Sequence, residues 1–156
     1  MFDLDKFKAK ASAALAGATR TIRIYTPETF SAEKQYINAM VSSIALIIVA
    51  DRKVETEEVT AGISFIQSLN EIKELNKELE SIEMFDHIIN DLMQHIDNEV
   101  KWIIEVSKII ANISLVRTNP AYTKSIKAVL EHIAGVDGDV DQTEVDMKNK
   151  IMEVLK

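Results

Sequence analysis

Apolar residues return at helical spacing in nearly every segment of this chain, and very little interrupts them. Four glycines and two prolines serve all 156 residues. A β-sandwich or barrel spends far more turn residues than that, so helices joined by short loops are expected. Residues 4–18 carry Leu4, Phe7, Ala11, Ala14, Leu15 and Ala18 on one face. Thr26-Pro27-Glu28-Thr29 then breaks the chain, and Ser31 is placed to cap a helix that buries Ile37, Met40, Val41, Ile44 and Ile48 and ends near Ala50.

A third helix, from about Thr56, buries Val59, Ile63, Ile66 and Leu69 and stops at Asn70. Residues 71–80 read as a short exposed helix or a frayed connection. From Ser81 the stripe Phe85, Ile88, Ile89, Leu92 and Ile96 marks another helix, closed by Asp97-Asn98. The next contains Val100, Trp102, Ile103, Ile104, Val106, Ile109, Ile110 and Ile113. Those positions cover almost its whole circumference, which predicts a helix through the middle of the core with Trp102 buried. Asn119-Pro120 opens a helix with Ile126, Val129, Leu130 and Ile133 inward, and the last begins after Asp141 with Val145, Ile151, Met152 and Leu155 inward. The methionines at 40, 84, 93, 147 and 152 fall at core spacing and read as packing residues.

Composition closes off several functions. There is no cysteine, so disulfides, thiolate metal sites and thiol chemistry are excluded, and a reducing compartment suits the chain. The longest apolar run, Ile44 to Ala50, is far below the roughly 20 residues of a membrane span. Net charge is −7, which argues against a nucleic-acid partner. The charge is uneven, because residues 1–25 hold Lys6, Lys8, Lys10, Arg20 and Arg23 against only Asp3 and Asp5. The chain therefore divides into a basic amphipathic arm, 1–25, and a helical domain, 26–156. His87, His95 and His132 have no metal-ligand spacing and read as surface or boundary residues. Nothing in the sequence resembles a nucleophile elbow, a phosphate-binding loop or a zincin helix.

The most informative pattern is an internal repeat. DRKVETEEV (Asp51 to Val59) returns as DGDVDQTEV (Asp137 to Val145), each copy following one apolar helix and opening another. In the second copy Asp137, Asp139, Asp141 and Glu144 converge on a turn that Gly138 is free to bend. Such carboxylates suit a hard cation, Ca²⁺ or Mg²⁺. The loop is not an EF-hand, whose bidentate Glu stands twelfth; here the Glu is eighth. Asp141 and Glu144 are equally explained as a capping box at a helix start. The first copy offers Asp51, Glu55, Glu57 and Glu58, with Arg52 and Lys53 as opposing charges. Arg52 also stands where the second copy has Gly138, so a left-handed turn there would cost about 1 kcal/mol.

Two such loops between helices, ADRKVETEEV at 50–59 and VDGDVDQTEV at 136–145, together with the start FDLDKFKAKASAAL at 2–15, resemble the TerB family of tellurite-resistance proteins. The likeness spans nearly the whole chain, with Arg52 departing from the family's glycine. It implies an all-α bundle of about seven helices and a metal site built from Asp51, Glu58, Asp137 and Glu144. It further implies a cytosolic adaptor of a tellurite or stress response, not an enzyme, working at the inner membrane beside a TerC-like protein. Two other readings of the residues stay open: a peripheral membrane protein that uses the basic arm 4–18, and a metal-dependent hydrolase built on the acidic loops.

Overall fold

A computed structural model describes residues 26–133 and 142–156. Among them are seven α-helices: α1 (Ala32–Ile48), α2 (Thr56–Ser68), α3 (Asn70–Glu74), α4 (Glu78–Gln94), α5 (Glu99–Ile113), α6 (Pro120–Ile133) and α7 (Gln142–Val154). Two single 3₁₀ turns, Pro27–Thr29 and Ser114–Val116, complete the described elements, and none is a strand. The all-helical bundle expected from the periodicity is the observed architecture. No helix among the described residues is long and apolar enough to cross a membrane.

Local chemistry sets the ends of these helices. The Ser31 hydroxyl accepts from the Lys34 amide at 3.2 Å, Asn98 Oδ1 from Lys101 at 3.1 Å and Asn119 Oδ1 from Tyr122 at 3.2 Å. Each bond satisfies one amide of a first turn, which has no partner inside its own helix. Asn70, read from sequence as a stop, instead begins α3, a single turn anchored by Ile72 at 1% exposure. The stop comes six residues later. Asn76 has φ 56°, and the amides of Asn76 and Lys77 return to the carbonyls of Lys73 and Ile72 at 3.0 and 3.1 Å. This is a Schellman closure with Asn in the left-handed position, where Gly is commoner. It frees α4 to start at Glu78, three residues before the expected Ser81.

The core organises around α1. Every residue from Tyr36 to Ile47 is buried, and α1 packs against α2, α4, α5, α6 and α7. This overturns the expectation that α5 runs through the middle. Val100, Ile103 and Ile104 of α5 are 66%, 55% and 61% exposed, and only Trp102, Val106, Ile109, Asn112 and Ile113 are buried. The physical reason lies in side-chain size. Around its full circumference α1 mixes bulky Ile37, Met40, Ile44 and Leu46 with small Ala39, Ser42, Ser43 and Ala45, so neighbours approach on all sides. The Ser43 hydroxyl satisfies itself on the Ala39 carbonyl at 2.7 Å, which lets a polar residue sit at zero exposure. By contrast α5 buries one apolar side, while on its other side Val100, Ile103 and Ile104 stand among Glu99, Lys101 and Lys108 and find no neighbouring helix among the described residues.

Trp102 is buried as expected, at 6% exposure, and Met40, Met84 and Met147 are core residues. Met93 and Met152 pack at its margin. Tyr36 on α1 stacks on Tyr122 of α6 with centroids 4.2 Å apart and 9° between planes, while its hydroxyl meets Ser125 Oγ at 2.7 Å. Burial of the phenol raises its pKa above the ordinary value; the Ser125 bond lowers it and the nearby Glu71 charge raises it further.

Candidate two-carboxylate cleft

The first acidic segment is the link between α1 and α2. After α1 ends, the Arg52 amide bonds the Val49 carbonyl at 2.8 Å, and Arg52 takes φ 61°. The left-handed residue foreseen from the match with Gly138 is therefore present, carried by a side chain that has a Cβ. Its guanidinium leaves the loop altogether. It donates to the Ile96 carbonyl beyond the end of α4 and lies 6.0 Å from the centroid of the Trp102 ring. Asp51 Oδ1 accepts from the Lys53 amide at 3.0 Å, an Asx turn that holds the carboxylate at the bend. The chain then extends through Glu55, the residue before the first helical turn, whose side chain makes no capping bond.

Glu57 points to solvent, but Glu58, one position on, is half-buried. It turns into a cleft of about 140 Å³. Ile44, Ile47 and Ile48 of α1, Ala61, Gly62 and Phe65 of α2, Ile133 at the end of α6 and Glu144 in the first turn of α7 form the rest of its lining. Glu58 and Glu144 are the eighth residues of the two repeated segments. The fold thus brings together the same carboxylate from both copies, on the first turns of two helices of equal length, thirteen residues each.

Of the six residues proposed as ligands, the described structure joins Glu58 and Glu144 in this cleft and places Asp51 at the bend before α2. Asp137, Asp139 and Asp141 lie outside the described residues. Among the described residues, no group of three or more His, Asp or Glu side chains could hold a metal ion. Glu58 and Glu144 suit a hard cation in charge and donor type. They supply only part of the six to eight oxygens that Ca²⁺ takes. The histidines keep to the boundary: His87 Nε2 lies 3.2 Å from Asp91 Oδ2, and His132 stacks on Phe65 with centroids 5.5 Å apart.

The sequence reading did not find the apolar walls of the cleft. Gly62 is their signal, a glycine inside an otherwise continuous helical pattern. A Cβ there would fall 2.5 Å from Ile48 Cδ1 and 3.0 Å from Phe85 Cζ, so the residue lets α1, α2 and α4 close together at the cleft floor.

No model of a known protein family, no curated protein and no solved structure matches this chain. The geometry of the cleft therefore stands as the basis for a functional reading.

Proposed function

We propose that the protein is a TerB-like binding module, an adaptor rather than an enzyme, whose ligand site is the cleft shared by the two repeated segments. Its ligand in this reading is a divalent cation, Ca²⁺ or Mg²⁺. The carrying observation is that Glu58 and Glu144, equivalent residues of the two copies, line one cleft. Asp51, Asp137, Asp139 and Asp141 would supply further oxygens from the adjoining loops. An ion held there would neutralise carboxylates from both halves and so tie α1–α2 to α6–α7. Cation occupancy would then alter the surface offered to a protein partner. By resemblance that partner is a TerC-like membrane protein, and the setting is a tellurite or stress response at the inner face of the cell membrane. With no cysteine in the chain, thiol reduction of tellurite would fall to another protein.

Calorimetric titration of the full chain with Ca²⁺, Mg²⁺, Mn²⁺ and Zn²⁺ tests the reading. One saturable event with an oxygen-preferring ion supports it. No heat with any of the four would leave the acidic residues as helix caps.

A further inference from the structure

Apart from Glu58 and Glu144, no described residue lining the cleft beside α1 and α2 carries a polar side chain. Glu58 stands in the first turn of α2, and Ala61, Gly62 and Phe65 follow it over two turns, about 10 Å. Ile44, Ile47 and Ile48 of α1 supply the facing wall. A Ca²⁺ or Mg²⁺ ion takes oxygen or water on every side and gains nothing from isoleucine. The apolar walls therefore call for a ligand with an apolar part. Size narrows the choice. The volume of about 140 Å³ is close to the roughly 150 Å³ of an apolar cavity that takes one benzene. It is well under the roughly 300 Å³ at which pockets for drug-sized ligands and cofactors begin. One side chain fits.

We propose that this cleft receives a lysine side chain of a protein partner, its methylenes along Phe65, Ala61 and the isoleucines and its ammonium at Glu58 and Glu144. Lysine joins an aliphatic stem that favours apolar surface to a terminal cation that favours carboxylates. The inference rests on the cleft being the ligand site, and it names the contact by which the module holds its partner. A divalent cation and the ammonium need the same two carboxylates, so each excludes the other.

The charges around the cleft favour a cationic occupant. The N-termini of α2 and α7 each contribute about half a positive charge, against a full negative charge on each carboxylate. Glu55 and Glu57, exposed at the same end of α2, add to the negative side, and the exposed Lys53 subtracts from it. Arg52 turns away to the Ile96 carbonyl, and Lys148 of α7 pairs with Glu131 of α6 at 3.2 Å. His132 stacks on Phe65 from outside the lining. The sum stays negative.

NMR of the isoleucine methyl groups, on the full chain titrated with n-alkylammonium ions, tests the proposal. Affinity should rise about fourfold with each methylene from ethylammonium to n-butylammonium, as each leaves water. n-Butanol should bind about tenfold more weakly than n-butylammonium. Nα-acetyl-lysine N-methylamide should match n-butylammonium. Glu58→Gln and Glu144→Gln should each weaken ammonium binding about fivefold and leave n-butanol unchanged. Ala61→Leu, at an exposed position, should fill the cleft, abolishing the chain-length trend while sparing Ca²⁺ binding. No chain-length trend in the parent, equal binding of n-butanol, or indifference to both Gln variants would overturn the proposal. Blocked lysine binding far more weakly than n-butylammonium would assign the cleft to a free amine and overturn it as well. Ca²⁺ binding without ammonium binding would overturn the lysine and keep the cation; ammonium binding without Ca²⁺ would keep the lysine and remove the cation.

Discussion

Arg52 and Ile96 are forty-four residues apart, yet the guanidinium of the first donates to the carbonyl of the second. The bond fastens the first acidic loop to the end of α4, with the Trp102 ring beside it. In the sequence, Arg52 reads as a charge opposing a cation in that loop; in the structure its charge is spent on a carbonyl and an aromatic face. A charged hydrogen bond to a carbonyl contributes about 1.5–3 kcal/mol and a cation–π contact about 0.5–1. Arg52→Ala should therefore cost about 2–4 kcal/mol in urea unfolding. Arg52→Gly should cost about 1 kcal/mol less, because glycine removes the left-handed strain. Equal losses would show that φ 61° carries no penalty here. Trp102 emission should shift to the red in both variants.

Removing the Tyr36 hydroxyl isolates a second tie between distant segments. Tyr36→Phe keeps the stack on Tyr122 and loses only the bond to Ser125, so unfolding free energy should fall by about 1 kcal/mol. Tyr122→Ala removes the stacked ring from a margin that is half-buried, and should cost more. The order of the two losses checks whether stacking or the hydrogen bond dominates the contact between α1 and α6.

Much of this architecture was legible from the residues, and the failures have one cause. Ser31 and Asn119 cap as their type and place imply, because capping is decided within four residues; Asn98, read only as the close of the preceding helix, caps α5 by the same local chemistry. Trp102 is buried because its helix has one strongly apolar side that must be covered. The position of α5 relative to α1 was misread because periodicity records which faces are apolar, not which of them find a neighbour. Val100, Ile103 and Ile104 look like core in sequence for that reason. Asn76 was overlooked because a left-handed Asn closing a single turn has no period at all. At the cleft, the repeat pointed to Glu58 and Glu144 by alignment, whereas Ile44, Phe65 and Gly62 could enter only once α1 and α2 were placed side by side.

Glu83 is the clearest electrostatic liability. It is 3% exposed, and its Oε1 has no hydrogen-bond partner. Burial raises its pKa above the ordinary 4.5, the Glu80 charge adds to the rise, and Lys34 opposes it. The native state thus holds the proton more tightly than the unfolded chain, and ionisation lowers stability. Below the ordinary carboxylate value both states are protonated and nothing is lost. As pH climbs from there through the raised native value, stability should fall and then level off. Glu83→Met should raise stability at pH 7 by about 1–3 kcal/mol and remove that part of the pH dependence. Melting curves from pH 3.5 to 8 on both proteins would show it, and parallel profiles would count against the assignment.

Gly62 should tolerate little. Ile48 Cδ1 can swing into the cleft to admit a Cβ, but Phe85 is fully buried and has nowhere to go. Alanine gains up to about 1 kcal/mol of helix preference to set against the crowding, so Gly62→Ala should be close to neutral. Gly62→Val adds two methyl groups at the same point and should destabilise by about 1–3 kcal/mol. Thermal unfolding of the pair separates the two effects; a valine variant as stable as the parent would mean that α2 is not held against Phe85.

The central claim is that the repeat builds one shared site from its two eighth-position carboxylates. A double-mutant cycle with Glu58→Ala, Glu144→Ala and the double variant, each titrated with Ca²⁺ and Mg²⁺ by calorimetry, addresses it most directly. The account predicts that either single change weakens the same one-ion event, by about tenfold or more, and that the double variant loses much less than the sum of the two. Two separate events, each abolished by its own substitution and indifferent to the other, would contradict it.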